Sequence, residues 1–184
     1  MFHGVRVAAL AQTAVELARR SSFCEAAVIL DHALRSGVRR GILSDLIEQA
    51  GPWGSTRAAG ALAVSNALHE SVGESYLAAR CREVGARDMV PQVEFRRDDG
   101  SVDRVDFWVP ELGLVIEFDG RQKYEDVNML GGRSGADVLW AEKLREDRIR
   151  AHPQVRGFVR VTCWHLVDPE RLRALFRLHG VPCR

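Results

Sequence analysis

A chain of 184 residues is long enough for one domain with a proper core, or for a small domain with a helical attachment. It is 46% hydrophobic and 28% charged, which excludes a disordered tail and a collagen-like rod, and no apolar run approaches the roughly 20 residues of a membrane-spanning helix. Net charge is only +1, yet residues 139–184 hold ten Lys/Arg against five Asp/Glu, so an acidic body carries a basic C-terminal quarter. That distribution suits a protein that holds metal in one place and grips a polyanion beside it, although such charges taken alone more often mark solvated helical faces.

The first residues, Met1-Phe2-His3-Gly4-Val5-Arg6, lack the basic-then-apolar build of a signal peptide, so a reducing cytoplasm is the expected compartment. Cys24, Cys81, Cys163 and Cys183 form no CxxC pair and read as ordinary reduced thiols. Of the 26 basic residues only Lys123 and Lys143 are lysines, the two cations able to lose a proton near neutrality.

The first 85 residues read as helices. Ala8–Arg20 is Ala- and Leu-rich and ends in two arginines; Phe23–Arg35 places Ala27, Leu30 and Leu34 on one stripe and stops at Gly37. Residues 41–50 form a shorter helix, Gly51-Pro52-Trp53-Gly54-Ser55 a loop, and Arg57–His69 and Ser71–Val84 two more helices. Asp31 and His32 are adjacent, and neighbours one apart on a helix point in different directions, so the pair is not read as chemical.

The second half changes period. Gln92–Arg97, Val102–Val109 and Leu114–Asp119 read as strands separated by Asp98-Asp99-Gly100-Ser101 and Pro110-Glu111-Leu112-Gly113. A Gly-rich loop leads to a charged helix at Asp137–Ala151, a fourth strand at Gly157–Cys163, and a last helix started by Asp168 as N-cap with Pro169 behind it. Leu172, Leu175 and Phe176 form its apolar stripe. The order helix-strand-strand-strand-helix-strand-helix predicts an α/β (α+β) domain on a mixed sheet over 71–184, with residues 1–70 as a helical segment packed on it.

A hairpin loop of Glu111 and Leu112 sets Val109 opposite Leu114 and, counting outward, Asp106 opposite Glu117. Alternation places Asp119 on the face of Glu117, so Asp106, Glu117 and Asp119 gather on one side. Two like charges about 5 Å apart repel by roughly 3 kcal/mol at an effective dielectric near 20, a cost that folding alone would not choose and a divalent cation would remove. The apolar run Leu114-Val115-Ile116 argues against a merely solvated acidic edge. A three-residue loop centred on Gly100 pairs Phe95 with Val105 and sets Glu94 opposite Asp106, at the site or beside Arg96 and Arg104.

This pattern resembles the PD-(D/E)xK nuclease superfamily and, more narrowly, the Vsr-related domain-of-unknown-function family of actinobacteria. The matching stretches are Ser71-Val72-Gly73-Glu74-Ser75, Val105-Asp106-Phe107, Glu117-Phe118-Asp119-Gly120 with Lys123-Tyr124, Glu142 to Asp147, and Val159 to Trp164. The helical half resembles the region that precedes this domain in AbiE-type antitoxin-like proteins. Longer proteins of that kind often carry a winged-helix segment ahead of it; the sequence leaves open a short form or a lost start.

The resemblance implies a restriction-endonuclease-like core and metal-dependent hydrolysis of phosphodiester bonds in DNA. Asp106 and Glu117 would bind Mg²⁺ or Mn²⁺, with Asp119 as a further ligand or an orienting group, and Glu74 is carried over from its helix. The superfamily's Lys position is occupied by Asp119, so the ammonium group would come from Lys123 or Lys143. Arg145, Arg148, Arg150, Arg171, Arg173 and Arg177 would contact phosphates, which positions a duplex without reading its sequence. The alternative is a weak or inactive nuclease-fold DNA-binding or antitoxin-like regulator. The partners implied are DNA, no membrane, and a second copy of the chain or a cognate toxin.

Overall fold

A computed structural model describes residues 8–86, 89–97, 99–120 and 135–183. The chain divides into two compact units, Met1–Glu83 and Val84–Arg184.

The first unit is helical: α1 (Leu10–Arg20), α2 (Phe23–Arg35), α3 (Arg40–Gln49), α4 (Ser55–Val64) and α5 (Val72–Glu83). α2 is its centre and packs against α1, α4 and α5. Ser22 starts it with a reciprocal capping box, its side chain accepting from the Glu25 N–H while the Glu25 carboxylate accepts from the Ser22 N–H. The core is rich in alanine. Ala14, Ala18, Ala26, Ala27, Ala33, Ala58, Ala61 and Ala79 are all buried, with Leu30, Leu43 and Leu62 filling the space between. α5, grouped with the second half on sequence, supplies Ala79 to this core.

α4 ends five residues earlier than its pattern predicts, at Val64 rather than His69. The cause is a buried carboxylate on α2. Asp31, fully buried, accepts from the Asn66 N–H at 2.7 Å and lies 2.6 Å from His69 Nδ1. Arg35 donates to the His69 carbonyl, and Arg40 donates to the carbonyls of Leu62 and Ser65. These bonds draw residues 65–69 out of the helix. Asp31 is therefore paired, though with His69 rather than His32.

The second unit holds β1 (Val90–Arg96), β2 (Val102–Val109), β3 (Leu114–Asp119), α6 (Gly135–Ala151), β4 (Gly157–Thr162), α7 (Cys163–Leu166) and α8 (Pro169–Leu178). Its sheet runs in the order β1-β2-β3-β4, antiparallel except for the parallel β3–β4 pair, which α6 connects. The mixed sheet and the order of elements agree with the α/β expectation. The short α7 is unanticipated: the Thr162 N–H donates to His165 Nδ1 at 3.0 Å and turns the chain as soon as β4 ends.

The turn between β2 and β3 keeps the expected register, with Val109 opposite Leu114 and Phe107 opposite Ile116. Gly113 has φ +61°, and a Cβ there would stand 2.7 Å from the Gln154 carbonyl, so only glycine fits this turn. The β1–β2 register differs by two residues from expectation. Val93 faces Val105 and Glu94 faces Arg104, because the loop closes through the Arg97 N–H to the Ser101 carbonyl. Exposed Glu94 is thus not opposite Asp106.

Alternation also breaks within β2. Val105 and Trp108 join one cluster with Phe95, Val115, Ile149 and Phe158, which strict alternation forbids for residues three apart. The break falls opposite Gln92, whose φ is +55°.

Candidate functional site: carboxylates clasped by arginines

Asp106 follows Phe107 in register and so comes next opposite Glu117. Its Oδ2 accepts from the Phe118 N–H of β3 at 2.8 Å. The side chain thereby takes over a cross-strand bond just beyond the Phe107–Ile116 pair.

Glu117, buried to 7% exposure, sits in the parallel ladder opposite Arg160, and Asp119 sits opposite Thr162 at the ends of both strands. Glu117 and Asp119 thus lie at the C-terminal end of β3, with Asp106 in mid-β2 beside them. The charge that meets them comes from arginine. Arg145 of α6 grips Glu117 with both terminal nitrogens, Nη2 to Oε1 at 2.5 Å and Nη1 to Oε2 at 3.3 Å, and Nη2 also donates to the Arg104 carbonyl at 2.7 Å. Such forked, charge-assisted pairs are the strong ones.

Burial alone would lower the Arg145 pKa. The hydrogen bond and charge of Glu117, with the charges of Glu142 and Asp106, overcome that effect and hold it above its ordinary value. Arg160 of β4 is also raised despite burial, by Glu146, Glu142, Glu117 and Asp119. It lies 3.8 Å from Asp119, 3.3 Å from Glu142 and 2.8 Å from Glu146, while Arg150 holds the other side of Glu146 at 2.7 Å.

The local reason lies in α6. Glu142, Arg145, Glu146 and Ile149 fall at i, i+3, i+4 and i+7, the spacing of a core-facing stripe. Only Ile149 is apolar and fully buried; the other three meet the charged end of the sheet. A charged stripe at core spacing was the signal in the sequence for this network. Arg160 falls within the Val159–Trp164 stretch with no predicted role, and Arg145 is predicted to contact phosphate.

The other predicted residues scatter. Lys123 lies outside the described residues. Lys143 is exposed, its ammonium 5.8 Å from the centre of the Trp140 ring. Glu74, in the first unit, is buried at the start of α5 and accepts from the Glu70 N–H at 2.9 Å. Arg148 is committed to buried Asp103 through Nε at 3.2 Å and Nη2 at 3.1 Å, and that hydrogen bond holds its pKa up.

The last four arginines are held more loosely. Arg150 pairs with Glu146 and lies over Phe158, Arg171 pairs with Asp168, and Arg173 pairs with Glu170. Arg173 and Arg177, four apart on α8, share a face near Cys183. Exposed pairs of this kind contribute about 0–1 kcal/mol and exchange readily for another anion. Arg145 and Arg148 differ in that their partners, Glu117 and Asp103, are buried and each is held by two nitrogens.

Carboxylate oxygens are the right chemistry for Mg²⁺ or Mn²⁺. The arrangement is not. Both Glu117 oxygens are occupied by Arg145, and among the described residues no three acidic, histidine or cysteine side chains converge as ligands. Among the described residues this pairing leaves no ready ligand set for a metal ion. The repulsion that suggested one is relieved by guanidinium groups instead.

Cys24 is buried beside Glu83, and burial pushes its thiol up to about 12, so it is an inert core group. At the end of β4, burial and then Arg171 hold the His165 imidazole below its usual 6.5. Its Nδ1 accepts the Thr162 N–H, so the neutral ring carries its proton on Nε2.

Compared with family models, curated proteins and solved structures, the chain gives no match. No helix among the described residues is long and apolar enough to cross a membrane.

Proposed function

We propose that this chain is a nucleic-acid-binding protein whose second unit has a restriction-endonuclease-like fold, and whose strand carboxylates are neutralised by arginine in place of a catalytic metal. The observation that carries this reading is the fork of Arg145 on Glu117. A guanidinium in that place serves structure; it offers no bound water to a phosphodiester. The three-strand, helix, strand order supports the fold assignment. Polyanion binding is supported by the exchangeable pairs of Arg150, Arg171 and Arg173, with Arg177 beside the last of these.

The test is the salt dependence of binding to short single- and double-stranded oligonucleotides. Four neutralised phosphates give a log–log slope of about −3 to −4. Replacing Arg173 and Arg177 together by glutamine should bring the slope closer to zero by about 2, while the fold persists. No binding at low salt, or a slope near zero, would remove nucleic acid from the account.

A second reading, an endonuclease active with Mg²⁺ or Mn²⁺, is favoured by one observation. The cluster of Asp106, Glu117, Asp119, Glu142 and Glu146 outnumbers its three arginines, Arg145, Arg150 and Arg160. Two negative charges remain for a cation. Plasmid nicking that requires either metal, and that EDTA and Asp106→Asn both abolish, would establish that reading over the first.

A further inference from the structure

We infer that Trp164, braced by Arg171 at the C-terminal end of β4, is a stacking platform for an unpaired nucleobase, so that the protein prefers single-stranded nucleic acid. The inference rests on the nucleic-acid reading above and names the form of the ligand.

Trp164 stands two residues beyond Thr162, the last residue of β4, which pairs with Asp119 at the end of β3. In open α/β sheets, ligands gather outside the carboxyl ends of parallel strands, and β3–β4 is the one parallel pair of this sheet. A tryptophan is normally buried for its large apolar area. Here the residue is 60% exposed.

It is exposed yet held. The Arg171 guanidinium lies 4.4 Å from the ring centre, and Arg171 Nη1 donates to the Trp164 carbonyl at 3.3 Å. The His165 ring meets the indole edge-on, at 5.1 Å and 87°. The Thr162–His165 hydrogen bond then fixes the turn that carries Trp164 and His165, and Arg171 reaches it from α8. A ring braced by a cation, with most of its surface open, suits a nucleobase with its phosphate nearby. Every base has a π-face, and base–aromatic stacking is insensitive to sequence.

Asp168 lies 3.6 Å from Arg171 in a partly exposed i, i+3 pair, a kind that contributes about 0–1 kcal/mol, so a phosphate can compete with the carboxylate. Trp140, also 60% exposed, lies on α6 with the Lys143 ammonium 5.8 Å from its ring centre, and serves as the comparison tryptophan.

The experiment measures fluorescence anisotropy of labelled oligo-dT, an abasic strand of equal length, and a duplex, with wild type, Trp164→Ala, Trp164→Phe and Trp140→Ala. Urea midpoints confirm that each variant is folded. Wild type should bind oligo-dT more tightly than duplex. Trp164→Ala should weaken oligo-dT binding about 5- to 100-fold, the range for loss of one stacked base. It should leave the abasic strand within about 2-fold, because charge without a base does not use the indole. Trp164→Phe should retain most of the affinity, and Trp140→Ala all of it.

If wild type binds oligo-dT but Trp164→Ala binds it equally well, the platform is overturned and the nucleic-acid reading stands. If Trp164→Ala weakens the abasic strand as much as oligo-dT, stacking is also excluded. If wild type binds none of the three probes, the underlying reading itself has failed.

Discussion

Replacing Arg145 by alanine is expected to destabilise the second unit by about 3 kcal/mol or more, because it strands a buried carboxylate without its partner. Glu117 is the group left behind, 7% exposed and deprived of both donors. Asp106 keeps its bond from the Phe118 N–H, but the cluster loses its central cation. Mn²⁺ should then recover part of the lost stability, since a divalent ion can take the position the guanidinium vacates. The paired substitution Arg145→Met with Glu117→Gln should be far less harmful than either alone, because neither side leaves an unpaired charge. Urea unfolding with and without Mn²⁺ reads both effects. An Arg145→Ala protein as stable as wild type would mean that the fork is a loose surface contact.

The second large effect lies in the other unit. Asp31→Ala should cost about 3 kcal/mol, because it removes one acceptor shared by two groups, each such loss costing about 1–3 kcal/mol when buried. His69, 3% exposed, would lose its carboxylate partner, and the Asn66 N–H would lose its acceptor. Asp31→Asn should be milder, because the amide oxygen still accepts from Asn66. Thermal or urea unfolding of the full chain provides the measurement. An Asp31→Ala midpoint within error of wild type would show that the 65–69 turn is held by the arginines alone.

Both predictions concern contacts between residues far apart in sequence, and that separates what was legible from what was not. The β2–β3 register was legible because it follows from a short turn and period-2 alternation, both local. Asp106, Glu117 and Asp119 were found together for that reason. The β1–β2 register was missed by two residues because the loop closes through Arg97 and Ser101 rather than symmetrically about Gly100. The early end of α4 was hidden because its cause, Asp31, lies 35 residues before Asn66. The β2–β3 register was read correctly, whereas the partner of the carboxylates was assigned by residue type. Lysine was sought because it can change protonation state, while arginine was treated as a phosphate contact. The charged stripe of α6 at core spacing pointed to Arg145, and the parallel pairing of Glu117 with Arg160 is a tertiary fact that no local pattern states.

The central claim is that arginine, not a divalent ion, balances the strand carboxylates. Calorimetric titration of Mn²⁺ into wild type and into Arg145→Ala, at one protein concentration and one ionic strength, tests it most directly. The account predicts no saturable binding to wild type in the micromolar range and a new site in the variant, lost again when Glu117→Gln is added. Tight stoichiometric binding to wild type that Glu117→Gln abolishes would contradict it.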